Sequence, residues 1–252
     1  MPINAISPAR ILDCLKLSKI MPLRDAMRLI LKKWSRSETT RIRINGWANE
    51  VVIRPGTTDL PVLRKILVGK EYMAPVKIAP ERILDAGAYI GFSALFFHQC
   101  YPDAQIYAFE PDAENFRLLV QNTASTPQIH PVNGAIWGSS GPRGFDANLD
   151  EKWASRVTDS AGVNTTLVNC TSFQDAIEMA GGDFDLMKFD IEGGEQDVFR
   201  SVEPSLIAKS KAVVIEFHDR FLPGSSAPFR NLMRSVKHKV VEQGENTWFL
   251  LA

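Results

Sequence analysis

Two stretches of this 252-residue chain bring together residue types that can do chemistry. The first is Asp85-Ala86-Gly87-Ala88-Tyr89-Ile90-Gly91, which follows the apolar run Arg82-Ile83-Leu84 and opens a second apolar run from Phe92 to Cys100. Gly87 can take backbone angles closed to other residues and lets a ligand approach the main chain. The helix expected after it offers unpaired N–H groups to an anion. Glu110, in Ala108-Phe109-Glu110-Pro111, stands 23 residues beyond Gly87, where a carboxylate can accept both hydroxyls of a ribose. The second stretch is Lys188-Phe189-Asp190-Ile191-Glu192-Gly193-Gly194-Glu195, joined downstream by Ile215-Glu216-Phe217-His218. Alternation along a strand puts Lys188 and Asp190 on one face, and Glu216 and His218 likewise. Carboxylates, a lysine and a histidine are thereby expected to converge at one edge of a sheet.

Two nucleotide-type ligands compete for the glycine turn. A dinucleotide places its pyrophosphate on Gly-x-Gly-x-x-Gly, whereas this turn begins with Asp85 and has Ala88-Tyr89-Ile90 between its glycines. Asp85 repels a pyrophosphate and suits the ammonium of an amino acid. S-adenosylmethionine carries a ribose, an ammonium and a sulfonium but no phosphate, so the arrangement favours it over NAD. An NAD-dependent oxidoreductase and a non-catalytic interaction module that keeps the fold remain the alternatives. The polar cluster counts against the module, because burying polar groups without use is costly.

The elements that must position these residues are legible in the periodicity. Strands are expected at Arg82–Leu84, Gln105–Phe109, Ile129–Val132, Phe184–Phe189 and Ala212–Phe217, alternating with helices at Phe92–Cys100, Ala113–Asn122 and Glu195 to about Ser201. Strand and helix repeated at this spacing predict an α/β fold with a mostly parallel sheet. Ligands of such sheets bind outside the carboxyl ends of the strands. His238–Gln243, a turn at Gly244-Glu245-Asn246 and Thr247–Leu251 predict a closing antiparallel hairpin. Residues 138–167 look polar and irregular, an excursion over the site. Upstream, the helical pattern runs from Ser7 to Arg36 with a break at Pro22, and Leu23, Met27, Ile30, Leu31 and Trp34 share one face. Asn45-Gly46 between β-type runs signals a hairpin, and Thr58 or Asp59 is placed to cap a helix through Leu67. The expected division is residues 1–79, a helical and β-hairpin extension, and residues 80–252, a cofactor-binding domain.

With these motifs in place, the sequence resembles the FkbM family of S-adenosylmethionine-dependent methyltransferases. The resemblance rests on DAGAYIG at 85–91, FEP at 109–111, KFDIEGGE at 188–195 and IEFH at 215–218. Arg54-Pro55-Gly56-Thr57-Thr58-Asp59 and Glu71-Tyr72 are similar to the lead-in of many members. It spans roughly residues 50 to 220, and the DIEGGE element is its most specific part. The resemblance implies a Rossmann-like class I methyltransferase fold, whose seven-stranded sheet ends in a hairpin that inserts one antiparallel strand. It further implies O-methylation of a hydroxyl on a carbohydrate or secondary metabolite. Carried over by position, Asp85, Gly87, Ala88, Tyr89 and Gly91 hold the methionine end and Glu110 with Pro111 the ribose. Asn133 and Ala135 are candidates for the adenine edge, though Asn133 serves equally as a turn former. Asp190 lines the cofactor side as well as the acceptor side.

Methyl transfer from a sulfonium is an in-line displacement, and an alcohol attacks better when a base takes its proton. His218 has a suitable ordinary pKa for that base. Asp190 or Glu216 can serve instead or orient the histidine, and Lys188 can act catalytically or as a counter-ion. Glu195 is most simply a first-turn residue favoured by the helix dipole. No metal is required, although Asp190, Glu192, Glu216 and His218 form an oxygen and imidazole set that suits Mg²⁺ or Mn²⁺.

Charge and composition bound the partners. Twenty-nine basic and twenty-nine acidic residues give a net charge of zero, unlike the basic excess of a nucleic-acid binder. Residues 1–43 nevertheless hold ten Lys or Arg against three Asp or Glu, so a basic front end is joined to an acidic remainder. The helix at 23–36 is expected to pack its apolar stripe, or to rest its basic face weakly on an anionic membrane surface. No apolar run is long enough to span a bilayer. The three separated cysteines fit a reduced cytoplasmic setting. The acceptor is expected to be a small molecule, a glycan or a lipid-linked glycan; oligomeric state is not legible.

Overall fold

The computed structural model describes residues 8–31, 38–146, 156–158, 166–192, 194–220 and 222–251. The chain forms two compact units, Met1–Lys70 and Glu71–Ala252.

In the first unit, helices α1 (Pro8–Leu17) and α2 (Leu23–Leu31) pack on each other on either side of Pro22. Leu17, Met21, Ala26 and Leu29 are buried, whereas Leu23 and Met27 are exposed. The buried face of α2 is therefore not the stripe anticipated from its large side chains, and Trp34 lies outside the described residues. Strands β1 (Thr40–Ile42) and β2 (Val51–Ile53) pair antiparallel, Thr40 opposite Ile53 and Ile42 opposite Val51. Asn45 and Gly46 turn the chain inside the long connection between them rather than closing a two-residue hairpin. Helix α3 (Asp59–Leu67) starts without the anticipated side-chain cap from Thr58. Asp59 is fully buried, and its carboxylate grips Arg54 through the backbone N–H (2.7 Å), Nε (3.1 Å) and Nη2 (2.9 Å). That bidentate pair ties the exit of β2 to the start of α3.

The second unit is built on a seven-stranded sheet. Its strands are β3 (Arg82–Ala86), β4 (Gln105–Glu110), β5 (Ile129–Asn133), β10 (Leu186–Phe189), β11 (Ala212–Glu216), β12 (His238–Gln243) and β13 (Asn246–Leu251), in the order β12-β13-β11-β10-β3-β4-β5. β5, β4, β3, β10 and β11 run parallel, and β13 inserts antiparallel between β11 and β12. This is the Rossmann-like sheet with an inserted closing hairpin that the sequence pattern implies. Helices α4 (Phe92–Cys100), α5 (Ala113–Thr123) and α7 (Glu195–Arg200) fall on the anticipated segments. Val198 and Phe199 of α7, Phe229 of α9 (Ala227–Met233), and Phe189 and Phe249 of the sheet share one apolar core. Phe199 and Phe229 meet edge to face at 4.6 Å and Phe229 and Phe249 at 4.9 Å, geometry aromatic pairs prefer.

One expectation is corrected. The stretch after the third parallel strand is not irregular: β6 (Ala135–Trp137), β7 (Gly141–Asp146), β8 (Arg156–Thr158) and β9 (Thr166–Ser172) form a second sheet, ordered β6-β9-β7-β8. Its strands alternate weakly because one face is largely exposed (Leu167 is 68% exposed), so the apolar period is diluted. Helix α6 (Phe173–Ala180) follows, capped by Ser172. Cys14, Cys100 and Cys170 are all free thiols.

The Arg54–Asp59 pair yields a test. Asp59→Ala strands a buried guanidinium and should cost about 3–5 kcal/mol of stability in urea unfolding. Arg54→Met with Asp59→Leu should recover most of it; a single variant within 1 kcal/mol of wild type would show that the pair is not what holds β2 to α3.

Candidate active site

The carboxyl edge of the parallel strands gathers the residues singled out from the sequence. Register explains the grouping: Lys188 pairs with Asp85 across β10 and β3, and Glu216 pairs with Asn246 across β11 and β13. Gly87 leaves β3 with φ +80, and a Cβ placed there would lie 1.9 Å from the Asp190 carbonyl oxygen. The glycine is thus required by close packing of the two strand ends, whose link is reinforced by the Asp190 N–H donating to Ala86 O at 3.2 Å. Lys188, 1% exposed, donates through Nζ to the carbonyls of Gly87 and Ala86. Its ammonium also sits 3.1 Å from Asp85 Oδ1, an ion pair rather than an aligned hydrogen bond, and 5.5 Å from the centre of the Tyr72 ring. Burial alone would lower the lysine pKa, but Asp85, then Asp190, more than offset this and raise it. Lys188 is therefore a fixed cation and not a proton acceptor.

Asp85 is fully buried, with Oδ2 accepting from Ser93 Oγ at 2.6 Å. Its carboxylate faces Lys188 and Ser93, so it does not reach an open site for an ammonium; Asp190, with 26% of its side chain exposed, is the open carboxylate beside it. Ala88 is buried and its N–H donates to Phe109 O at 2.9 Å. Tyr89 takes φ +53, a left-handed angle that aims its N–H at Glu110 Oε2, 2.8 Å away. Glu110 Oε1 accepts from the Asp112 N–H at 3.0 Å, just past Pro111. Burial pushes the Glu110 carboxyl up to about 8, although those backbone donors pull the other way. Gly91 caps α4 with φ +95 and lies against α5, where a Cβ would meet Leu119 at 2.9 Å, so its role is helix packing. Asn133 is exposed and donates to Glu110 O at 3.1 Å, the turn-forming role. Ala135 is buried at the start of β6.

His218, 3% exposed, is the centre of a cluster of carboxylates. Its Nδ1 meets Glu195 Oε1 at 2.8 Å. Its Nε2 faces Glu192 Oε2 at 3.2 Å, Glu216 Oε1 at 3.9 Å and Asp190 Oδ1 at 4.0 Å. Burial pulls the imidazolium down, but the hydrogen bond and charge of Glu195, then Glu192 and Asp190, outweigh it and carry it to about 9. Burial, then the charge of Asp190, pushes Glu192 up to about 8 against the opposing pull of His218. Glu192 reaches the histidine from a left-handed turn with φ +52, a conformation held at a cost of order 1–3 kcal/mol. Gly193, next in the motif, lies outside the described residues.

Residues 85–239 match the family described as the Methyltransferase FkbM domain. This chain belongs to the FkbM methyltransferase family. The match takes in the glycine turn, Glu110, the Lys188–Glu195 run and His218, so a methyltransferase assignment displaces the oxidoreductase and non-catalytic readings. Among curated proteins, the 2-O-methyltransferase NoeI of Sinorhizobium fredii is 28% identical over 202 residues, covering 72% of this chain and 79% of that protein. The AMB antimetabolite synthetase AmbE of Pseudomonas aeruginosa is 22% identical over 200 residues, 63% of this chain but only 9% of that protein's length. Solved structures resemble it more distantly. Precorrin-6y C5,15-methyltransferase from Geobacter metallireducens has a TM-score of 0.43 at 10% identity, covering 72% of this chain and 84% of that one. Aeropyrum pernix fibrillarin with bound S-adenosyl-L-methionine has 0.42 at 16%, covering 89% and 86%.

Two residues matter more at this site than their sequence context suggests. Glu195 is not a surface charge on a helix dipole: it is fully buried and holds His218. Tyr72 donates its hydroxyl to Asp190 Oδ2 at 3.3 Å and packs its ring at a tilt against Phe97, 5.8 Å between centroids. Glu195 was detectable as a carboxylate one turn from the apolar Val198 and Phe199; Tyr72 stood only in the family-like lead-in Glu71-Tyr72, with no role attached.

Two outcomes follow from this geometry. Gly87→Ala should lose on the order of 2–3 kcal/mol, because the Asp190 carbonyl must give way; an unchanged urea midpoint would show that the close approach is not rigid. Glu110 should make stability fall with pH. The unfolded carboxyl releases its proton near 4.5 and the folded one near 8, so stability present below 4.5 is lost as pH rises through 8, at most about 1.4 kcal/mol per pH unit. Glu110→Gln should remove that slope, and stability curves for the two proteins that run parallel between these values would refute it.

Proposed function

We propose that this FkbM methyltransferase transfers the methyl group of S-adenosylmethionine to a hydroxyl of a carbohydrate or secondary-metabolite acceptor. The observation that carries the reading is the adjacency of two features at one sheet edge. The glycine turn at Asp85–Gly91, flanked by Glu110 and by the open carboxylate of Asp190, suits a cationic nucleoside donor. The Asp190–Glu216–His218 cluster begins where that turn ends, since Gly87 packs on Asp190 itself. The name of the Sinorhizobium relative supports a hydroxyl as the acceptor.

In this reading Tyr89 and Glu110 hold the ribose and Asp190 faces the methionine end. The acceptor oxygen attacks the methyl carbon in line. The carbon–sulfur bond breaks with its electron pair remaining on sulfur, leaving S-adenosylhomocysteine, and the hydroxyl proton passes to a nearby base. His218 carries its own proton at neutral pH, held there by Glu195, which assigns proton acceptance to Asp190 or Glu216 and orientation to His218.

Isothermal titration with S-adenosylhomocysteine should show one site per chain, and NADH should give no heat; the reverse pattern would overturn the donor assignment. With tritiated donor and a glycan and metabolite library, Asp190→Asn or Glu216→Gln should lower methyl incorporation about 100-fold or more while S-adenosylhomocysteine still binds. Full incorporation by both variants would remove the carboxylates as base.

A further inference from the structure

We infer that His218, Asp190 and Glu192 form a divalent cation site of the Mg²⁺ or Mn²⁺ kind, which takes the acceptor through a hydroxyl and a neighbouring oxygen. One donor atom from each of the three residues lies within 4.8 Å of the others. Nε2 of His218 stands 3.2 Å from the Glu192 oxygen and 4.0 Å from the Asp190 oxygen. Ligands about 2.1–2.2 Å from one ion are separated by roughly 3.0 Å when adjacent and 4.2 Å when opposite, so these spacings bracket an octahedral site. Imidazole and carboxylate together suit a first-row divalent ion.

The surroundings are built as a metal site's are. Glu195 takes Nδ1 of His218 and so turns Nε2 toward the two carboxylates, the outer carboxylate that metal-bound histidines commonly carry. Glu195 is 0% exposed and its other oxygen, Oε2, has no hydrogen-bond partner among the described residues. Its charge is thus committed to the histidine. Charge balance points the same way: Asp190, Glu192, Glu195 and Glu216 approach one imidazole, while the nearest ammonium, Lys188, pairs first with Asp85 at 3.1 Å and stands 4.0 Å from Asp190. A divalent ion would take the place of the His218 Nε2 proton and supply the charge that one imidazolium cannot. Asn246 Oδ1, also fully buried and without a hydrogen-bond partner among the described residues, belongs to the residue paired with Glu216 across β11 and β13.

Three protein ligands leave about three of six positions open. Two oxygens of a vicinal diol, or a hydroxyl beside a carbonyl, fill two of them. An ion held by these three residues would supply Lewis-acid polarisation of the attacking hydroxyl, with Glu216 the carboxylate placed to take its proton, while the sulfur keeps the electron pair of the broken carbon–sulfur bond. This last step rests on the methyl-transfer reading above; the ion site itself does not.

The test uses the full chain, dialysed against EDTA and titrated with Mn²⁺, reading free Mn²⁺ by electron paramagnetic resonance. One Mn²⁺ per chain is expected in the micromolar range. Glu192→Gln and His218→Asn should each weaken it at least 10-fold, and Glu195→Gln 10- to 100-fold, whereas Glu216→Gln should leave it within about threefold. Circular dichroism and S-adenosylhomocysteine binding control for folding, and should His218→Asn fail to fold, the partly exposed Glu192→Gln decides. No uptake at millimolar Mn²⁺, or uptake indifferent to Glu192→Gln, overturns the site. S-adenosylhomocysteine binding without Mn²⁺ uptake overturns the ion and leaves methyl transfer standing; Mn²⁺ uptake without S-adenosylhomocysteine binding supports the ion and overturns the donor assignment.

Discussion

The ammonium of Lys188 sits where three parts of the second unit meet: the carbonyls leaving β3, the buried carboxylate of Asp85 and the ring of Tyr72. A buried charge is tolerated only when paired and hydrogen-bonded, and here both requirements are met from the end of β3, by the Asp85 carboxylate and by the carbonyls of Ala86 and Gly87. The consequence is a rigid junction between β3 and β10. Gly87 can then lie against the Asp190 carbonyl, the Asp190 N–H can bond to Ala86 O, and the Asp190 side chain emerges at a defined point on the sheet edge. The glycine turn and the His218 cluster are two sides of this junction.

From that junction the site divides by electrostatic environment. On the donor side, Glu110 is enclosed by backbone N–H groups from Tyr89 and Asp112 and kept largely from water. On the other side, His218 collects carboxylates from the end of β10, the following turn, α7 and the end of β11. The left-handed backbone at Tyr89 and at Glu192 marks where each half bends a polar group inward. Strain of this kind persists only where the surroundings over-determine it, and the packed junction supplies that constraint.

Much of this was legible before any coordinates. The parallel strands and the helices at 92–100, 113–123 and 195–200 follow from apolar periodicity, and the closing hairpin from Gly244 between two alternating runs. The β6–β9 sheet was not legible, because its longest strand, β9, is exposed or half-exposed along most of its length and lacks a sustained apolar period. Nor was the buried face of α2: Ala26 and Leu29 go inside while the larger Leu23 and Met27 stay out, since residue size alone does not say which face finds a neighbour.

For the site, residue types and spacing by themselves determined that a glycine turn, Glu110, the DIEGGE run and the EFH run meet at the carboxyl edge of a parallel sheet, and that the chain resembles FkbM methyltransferases. Strand alternation is local, and it is enough for that. What each group does there was decided by tertiary packing. Asp85 is turned from ligand to counter-ion by Lys188 and Ser93, Gly87 and Gly91 serve close approach, and Glu195 becomes the residue that aims His218. The physical reason is range: periodicity tells which side a residue faces, whereas the charge state and role of a buried group depend on partners up to a hundred residues away along the chain, as Lys188 and Asp85 are.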